Sequence, residues 1–561
     1  MTSLSDLTPG TRPSDGSWGT PDWPAWVTAF RPHQLTAVDQ ILDGYARGKK
    51  VMVLDAPVGA GKTLIAEMVR RRLAVDMLYV AHSRGLQDQM LRDFPYSRVL
   101  KGRANYPTEH GPGWVTAADC TAKGGAGAGG CAWCDKACPY GIAKQEARAA
   151  RVAVVNTAYM LAEAGGRGAL CSGRQFVCVD ECDTLEGIVA GNVEFGIKDR
   201  DLAEGLVVPK KGVHGKTVAA WLRDEWMVVE MERYKQLRAR ARGAGDADKV
   251  KLERKLKQSA DRMARATLAA EGISGEAGED AQWVRDYGWG YALQLKPVMI
   301  DWCANTRVWR HGEKWLLMSG TVVDADVMCG GLGLERDEWE LVTVPMTFAA
   351  ENRAVKVVPV ADMGKKNMDA NREQVVQAIE SALWVVLDRH KGENTLVHTV
   401  SYALTEVVED IVREWAGAQE DMGGDRIIVH SYRKASERDE TLERFKAEGG
   451  IIVGPSLDRG VDLPGDLCRV QVIVKVPFPN LGDKVVSTRM RGGNGGGRWY
   501  ATETARTIVQ MTGRGVRGAD DWCVSYILDR GFLKWLNADG KALLPRWWQD
   551  AMKVELVKEY Q

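Results

Sequence analysis

The 561-residue chain carries no net charge, with 75 Lys and Arg against 75 Asp and Glu. A chain-wide basic character of the kind that coats nucleic acid is thereby excluded, and any such surface has to be local. No apolar run approaches the roughly 20 residues that a membrane helix needs. The N-terminus has no apolar core of the secretory type. These absences lead to the expectation of a soluble, cytoplasmic protein without a membrane partner. Internal repeats are missing, and glycine-rich runs are confined to 124–130 and 492–497. What remains is globular material: apolar residues make up 45% of the chain, and its length suits roughly three or four domains. Residues 1–30, rich in Pro, Gly, Ser and Thr, are expected to be poorly ordered. The eleven cysteines do not argue for disulfides in that compartment. Four of them cluster, which points to a metal instead.

The chain is organised around Ala56-Pro57-Val58-Gly59-Ala60-Gly61-Lys62-Thr63. The apolar run Val51–Leu54 before it reads as a buried strand, and a helical pattern rich in Leu, Ile, Ala, Met and Arg follows. Strand, glycine loop, Gly-Lys-Thr and helix form the layout of a phosphate-binding loop. Gly59 and Gly61 let backbone N–H groups face phosphates at the positive end of the helix. Lys62 reaches the β- and γ-phosphates, and the Thr63 hydroxyl holds Mg²⁺. ATP and Mg²⁺ are the expected cofactors. The hydrophobic strand before Asp180-Glu181-Cys182-Asp183 supplies the other half of such a site, with Asp180 on Mg²⁺ and Glu181 polarising the attacking water. Upstream, Arg31 and Gln34 open a helical pattern running Leu35, Val38, Ile41, Leu42 and Tyr45. Gln34 is there either to read an adenine edge or as a plain surface residue at a helix start.

Cys120, Cys131, Cys134 and Cys138 have the spacing C-x10-C-x2-C-x3-C, followed by Pro139. The tail favours an iron–sulfur cluster, with zinc as the alternative. Residues 184–310 read as an inserted, mostly helical subdomain in which Lys and Arg are dense from Lys235 to Arg265. The default for such a face is solvated surface. A second α/β pattern begins at Val355, with candidate strands at Thr395–Thr399, Ile427–His430, Ile451–Gly454 and Val470–Lys475. Near the end stands Gln510-Met511-Thr512-Gly513-Arg514-Gly515-Val516-Arg517, whose Gln and two Arg share about one helical face. Arginines from a second domain can close on a γ-phosphate and stabilise transition-state charge.

In order, these motifs resemble those of the superfamily-two helicases, and within them the iron–sulfur XPD/DinG family, over about residues 31–548. Arg31 and Gln34 are similar to the Q motif, Ala56–Thr63 to motif I in its Ala-Pro-x-Gly-x-Gly-Lys-Thr form, and Val80–Gln89 to motif Ia. Asp180–Asp183 is similar to motif II, Ser319–Thr321 to motif III, Gly460–Gly465 to motif V and Gln510–Arg517 to motif VI. Four thiols between motifs Ia and II, preceded by Gly102-Arg103-Ala104-Asn105-Tyr106 and followed by Pro139-Tyr140, are the family's particular mark. Phe348, Glu351, Asn352, Arg353 and Lys475-Val476-Pro477-Phe478-Pro479 also fit it. Three positions depart from the pattern: Asp183 replaces the usual His of motif II, Gly320 replaces Ala in motif III, and Pro107 stands where the first thiol is usual.

The resemblance implies an α/β protein with two RecA-like parallel-sheet domains, an inserted iron–sulfur cluster domain and a helical Arch-like insertion in the first. The expected boundaries are an N-terminal segment 1–30; RecA-like domain 1 in three parts, 31–102, 141–188 and 309–345; a cluster domain at 103–140; an Arch-like insertion at 189–308; and RecA-like domain 2 at 346–561. It implies an ATP-dependent DNA helicase moving 5′ to 3′ on single-stranded DNA, with a 4Fe-4S cluster domain at the strand-separation point. Single-stranded and forked DNA are the expected partners of a monomer. The implied catalytic residues are Lys62, Glu181, Gln510, Arg514 and Arg517. Arg31, Gln34, Gly59, Gly61, Lys62, Thr63, Asp180, Gly460 and Asp462 would contact nucleotide and Mg²⁺, and Cys120, Cys131, Cys134 and Cys138 would hold the cluster. The rival readings are a translocase that remodels complexes without unwinding, and a zinc-binding ATPase.

Overall fold

The structure, a computed structural model, describes residues 23–560 apart from 108–115, 120–137, 164–169, 172, 275–282, 289, 458–462, 464, 494 and 519. Its strands are β1 (Val51–Asp55), β2 (Met77–Ala81), β3 (Arg98–Val99), β4 (Val152–Asn156), β5 (Arg174–Asp180), β6 (Phe195–Lys198), β7 (Trp283–Gly288), β8 (Tyr291–Pro297), β9 (Gly312–Ser319) and β10 (Trp339–Thr343). The second half of the chain adds β11 (Val355–Ala361), β12 (Thr395–His398), β13 (Val429–Ser431), β14 (Ile451–Gly454), β15 (Val470–Ile473), β16 (Val524–Asp529) and β17 (Met552–Val554). Two parallel sheets result. The first has the order β10-β1-β9-β5-β2-β4-β3 and the second β13-β14-β12-β15-β16-β11-β17.

Helices on both faces explain why the strands read as unbroken apolar runs. Val51, Met52, Val53 and Leu54 of β1 are all fully buried: Val51 and Val53 enter one core cluster, Met52 and Leu54 the other. The second sheet is covered in the same way, with Val397, Val453, Val472 and Leu528 on one face and Val357, Ile473 and Ile527 on the other. It contains more strands than the sequence pattern shows: Lys356 and Pro359 interrupt the apolar run of β11.

The insertion between residues 193 and 301 departs from its helical expectation. It holds a three-stranded antiparallel sheet, β6-β8-β7, in which Arg285, Asp286 and Gln294 interrupt the apolar residues. Against it packs the helix Gly215–Trp221, which runs through a wider π turn at Leu222–Trp226 into Met227–Arg242. The helix Asp246–Ile273 returns antiparallel to it. Phe195, Trp221, Trp226, Ala266, Ala270 and Leu293 form their shared core.

The helix after the phosphate loop, Lys62–Leu73, is fixed by charge inside the core. The Glu67 carboxylate is fully buried and accepts 2.7 Å hydrogen bonds from both Nε and an η-nitrogen of Arg70, 2.8 Å from Arg71 and 2.8 Å from the Tyr96 hydroxyl. Burial alone would lift this carboxyl, but Arg70 and then Arg71 hold it below the usual range. Its stabilising contribution is therefore present above the unfolded-state pKa and is lost as pH falls. Glu67→Gln strands the buried Arg70 guanidinium, and is expected to cost roughly 3–5 kcal/mol in urea unfolding at neutral pH, with less difference from the parent under acid.

Candidate active site

The parallel register brings the strand ends together where ligands bind α/β sheets. Asp55 lies beside Ser319, Asp180 beside Met318, and Val80 beside Val179. The phosphate loop therefore emerges next to the segments that end in Asp180-Glu181 and Ser319.

Two glycines give the loop its path. Gly59 and Gly61 have φ of 80° and 83°, in the left-handed region that side-chain-bearing residues avoid. A Cβ on Gly61 would sit 2.4 Å from Gln34 Nε2, and one on Gly59 2.4 Å from the Phe348 ring. Lys62 Nζ lies 3.4 Å from the Ala56 carbonyl. Gln34 is 4% exposed, so it is not a surface residue. Its amide donates to the Ala60 carbonyl at 3.1 Å and accepts from the Arg31 N–H at 2.9 Å, while the Arg31 guanidinium donates to the Gly59 carbonyl at 2.8 Å. Both residues thus brace the loop from behind.

Thr63 and Asp180 are joined through a residue that sequence reading passed over. The Tyr79 hydroxyl donates to Asp180 Oδ2 at 2.8 Å and lies 3.5 Å from Thr63 Oγ1. Burial, with the Asp180 charge behind it, pushes the Tyr79 phenol well above its ordinary value, so it stays a neutral donor. The one aromatic ring in the centre of β2 was the available signal. Glu181 has a left-handed backbone, φ 51°, a strained conformation that aims its side chain away from the strand direction. Its carboxyl is pushed up by burial first and by Asp180 and Asp183 next, against the opposing charges of His82 and Arg514. Arg514 of the second domain is therefore within electrostatic reach of Glu181 of the first. At the mouth of the loop, burial lifts Asp55 to about 6, in spite of a backbone hydrogen bond from Val322 and the charge of Lys62.

Asp183, in place of the usual His, is a hub of hydrogen bonds. Its Oδ1 accepts from Ser319 Oγ at 2.7 Å, and its Oδ2 from Gln510 Nε2 at 2.8 Å. The same Gln510 amide donates to Thr321 Oγ1 at 3.0 Å, and Ser319 and Thr321 are 3.1 Å apart. Motifs II, III and VI are thereby one network across the two domains. Arginines of the second domain extend the seam. Arg506, four residues before Gln510 on the same helix, is 4% exposed and donates to the Thr321 carbonyl. Burial lowers the proton affinity of its guanidinium, but Glu503, Asp183 and Glu186 raise it above the ordinary value. Arg489 pairs with Glu186 at 2.7 Å, and Arg498 with Asp324 at 2.6 Å. Arg489, Arg498, Arg506, Glu186 and Asp324 all lie outside the motifs, and only the helical spacing of Arg506 from Gln510 was visible beforehand. Arg517 lies at the same junction, with its carbonyl 3.4 Å from where a Gly59 Cβ would stand and its N–H donating to Asp521 at 2.9 Å.

The structure thus brings Arg31, Gln34, Gly59, Gly61, Lys62, Thr63, Asp180, Glu181, Gln510, Arg514 and Arg517 to one cleft. Gly460 and Asp462 lie outside the described residues, as do Cys120, Cys131 and Cys134. Cys138 is described: it is buried at the N-terminus of the helix Pro139–Ala149, in one core cluster with Ala117 and Tyr140. Ala117 and Cys138, which flank 120–137 in the sequence, therefore share one core. Among the described residues no group of three or more His, Cys, Asp or Glu stands together as a metal cage.

Residues 384–551 match the family described as the helicase C-terminal domain, and residues 28–111 the one described as the type III restriction enzyme, res subunit. The chain is 24% identical over 283 residues to the ATP-dependent DNA helicase DinG of Photobacterium profundum, covering 47% of this chain and 38% of that protein. It is 26% identical over 162 residues to the ATP-dependent DNA helicase CHL1 of Candida glabrata, covering 25% of this chain and 19% of that protein. It therefore matches well under half the length of these curated relatives. Among solved structures, an XPD helicase aligns over 94% of this chain and all of its own, with a TM-score of 0.60 at 15% identity. Xpd4 of S. tokodaii aligns over 94% of this chain, with a TM-score of 0.54 at 14% identity. With its two parallel-sheet domains and one motif network between them, the chain shares the fold of the XPD helicase structures and is similar in part of its sequence to the DinG and CHL1 helicases.

Proposed function

We propose that the chain hydrolyses ATP between its two RecA-like domains and uses the opening and closing of that cleft to travel along single-stranded DNA, 5′ to 3′, as a monomer that separates duplex. The observation that carries this reading is the bonded path Ser319–Asp183–Gln510–Thr321, which ties the carboxylates of one domain to the helix Gly496–Thr512 of the other; Arg514 and Arg517 follow that helix in the turn beyond its end, not on one face of it as the spacing predicts. Loop backbone and Lys62 would take the phosphates, and Thr63 and Asp180 Mg²⁺. Glu181, its proton affinity raised by its neighbours, suits the role of base toward water. A change at the γ-phosphate would alter how Arg514 and Arg517 sit, and Gln510 would pass that change to Asp183. Backbone contact in a local basic groove and stacking on aromatics would make DNA binding tolerant of sequence.

Cys120, Cys131, Cys134 and Cys138 would hold a 4Fe-4S cluster, which when bound supplies a rigid cross-link between these four thiols. The buried thiol at Cys138 fits such a donor set. Unwinding of matched 5′-tailed and 3′-tailed duplexes by metal-replete protein tests the proposal. Only the 5′-tailed substrate is expected to open. Equal opening of both removes the polarity, and DNA-stimulated hydrolysis without opening favours a remodelling translocase. Cys134→Ser is expected to weaken unwinding several-fold more than hydrolysis; equal loss of both, or a parent protein that binds zinc without visible colour, would remove the cluster from the proposal.

A further inference from the structure

The helical hairpin of the insertion continues past the core that explains it. That core ends at Met227 on the outgoing helix and begins again at Met263 on the returning one. A buried polar cluster marks the boundary: Glu230 accepts from Ser259 Oγ at 2.6 Å and from Arg262. Beyond it the two helices pack against each other, and Ala241 is the one buried side chain among those described in 231–258. At 1.5 Å per residue the outgoing helix extends about 18 Å past this cluster. Leu237, Leu252 and Leu256 are half-buried, so burial alone gives little reason for such length.

Charge gives a better one. Residues 231–262 contain eleven Lys and Arg against five Asp and Glu, a net charge of +6 in a chain whose total is zero. Lys235, Arg238 and Arg242 recur at i, i+3 and i+7, and all three are exposed. Lys251, Lys255 and Lys257 are exposed on the returning helix. The local acid partners are weak: Lys235–Glu232 at 3.5 Å and Lys251–Asp248 at 3.8 Å are surface pairs with every side chain more than half exposed.

We infer that this arm is a second nucleic-acid surface, separate from the ATP-driven path, that grips the phosphate backbone of duplex DNA. A row of cations along a straight helix suits a row of phosphates and needs no sequence. An anionic membrane fits less well, because a helix that lies in a bilayer presents an apolar face with large side chains, whereas the leucines here are turned toward the neighbouring helix and Tyr234 is the one aromatic residue in 231–262.

The test is fluorescence anisotropy of a labelled blunt-ended duplex with the full chain, without ATP, across a salt series. Lys235→Gln, Arg238→Gln and Arg242→Gln together are expected to weaken binding about tenfold or more at low salt and to lower the slope of log K against log salt by about 2.7, or about 0.9 per lost phosphate contact. Circular dichroism confirms that the helices persist, and Lys251→Gln with Lys255→Gln probes the returning helix in the same way. Single-strand-stimulated turnover at saturating strand is expected to stay unchanged. Unchanged affinity and slope in both variants overturn the inference. So does loss of binding to phosphatidylserine vesicles with duplex binding intact. Because no ATP is present, the outcome is independent of the reading of the cleft.

Discussion

Replacing Lys62 by Ala is expected to lower single-strand-stimulated ATP hydrolysis by on the order of 10²–10³, the cost of removing one fixed donor from developing phosphate charge. The fold gives no reason for collateral damage. Lys62 makes a long contact to the Ala56 carbonyl, and the loop's shape is held by Gly59, Gly61 and the bracing amide of Gln34, none of which depends on the ammonium. Thermal unfolding should therefore move little while phosphate release falls and nucleotide affinity weakens. Full turnover in the variant would show that the loop at 56–63 is not the catalytic nucleotide site.

The second large effect is expected at Arg514 and Arg517. Truncating an arginine that closes on the γ-phosphate costs about 10³–10⁵ in turnover where it has been measured in other nucleotide hydrolases. Arg514→Ala and Arg517→Ala should each approach that range while a fluorescent nucleotide still binds, because the binding loop belongs to the other domain. The two can be told apart. Arg514 lowers the proton affinity of Glu181, against burial and the charges of Asp180 and Asp183. Removing Arg514 lets Glu181 rise further, so the acid limb of the residual pH–rate profile should shift to higher pH. Arg514 is the arginine whose charge lowers Glu181, so removal of Arg517 is expected to move that limb less than removal of Arg514. Retained turnover in both variants would reassign the pair to a structural role.

The parts of this site legible in the sequence are those that backbone conformation dictates. A loop needing two left-handed residues before a helix leaves Gly59, Gly61 and Lys62-Thr63 at fixed spacing, and a buried strand ending in Asp180-Glu181 is conspicuous. Gln34 was legible as a position but not as a contact: whether an amide faces solvent, a base or the Ala60 carbonyl depends on tertiary packing. Tyr79 was hidden because a tyrosine in a strand is ordinarily core, and only the neighbouring strand turns its hydroxyl into a link between Thr63 and Asp180. The seam of Arg489, Arg498 and Arg506 was illegible for a different reason. Apart from Glu503, which pairs with Arg506 on its own helix, its acids lie in the first domain and its bases in the second, with no local spacing to couple them. The sheet β6-β8-β7 was masked by Arg285, Asp286 and Gln294, which break its apolar runs.

That seam also limits how this protein can be divided or recombined. Severed at the connector before β11, one half would carry Glu186 and Asp324 without their cations, and the other would carry Arg506 in a face shaped for burial. Within the joined chain, removing one member of the Arg489–Glu186 pair would leave the other unpaired where the domains meet, a cost of several kcal/mol. The two sheets are built alike, yet the halves are matched as the subunits of an obligate heterodimer are. A half transplanted from another protein would have to bring acids that meet Arg489 and Arg498, or cations that meet Glu186 and Asp324, to keep these contacts.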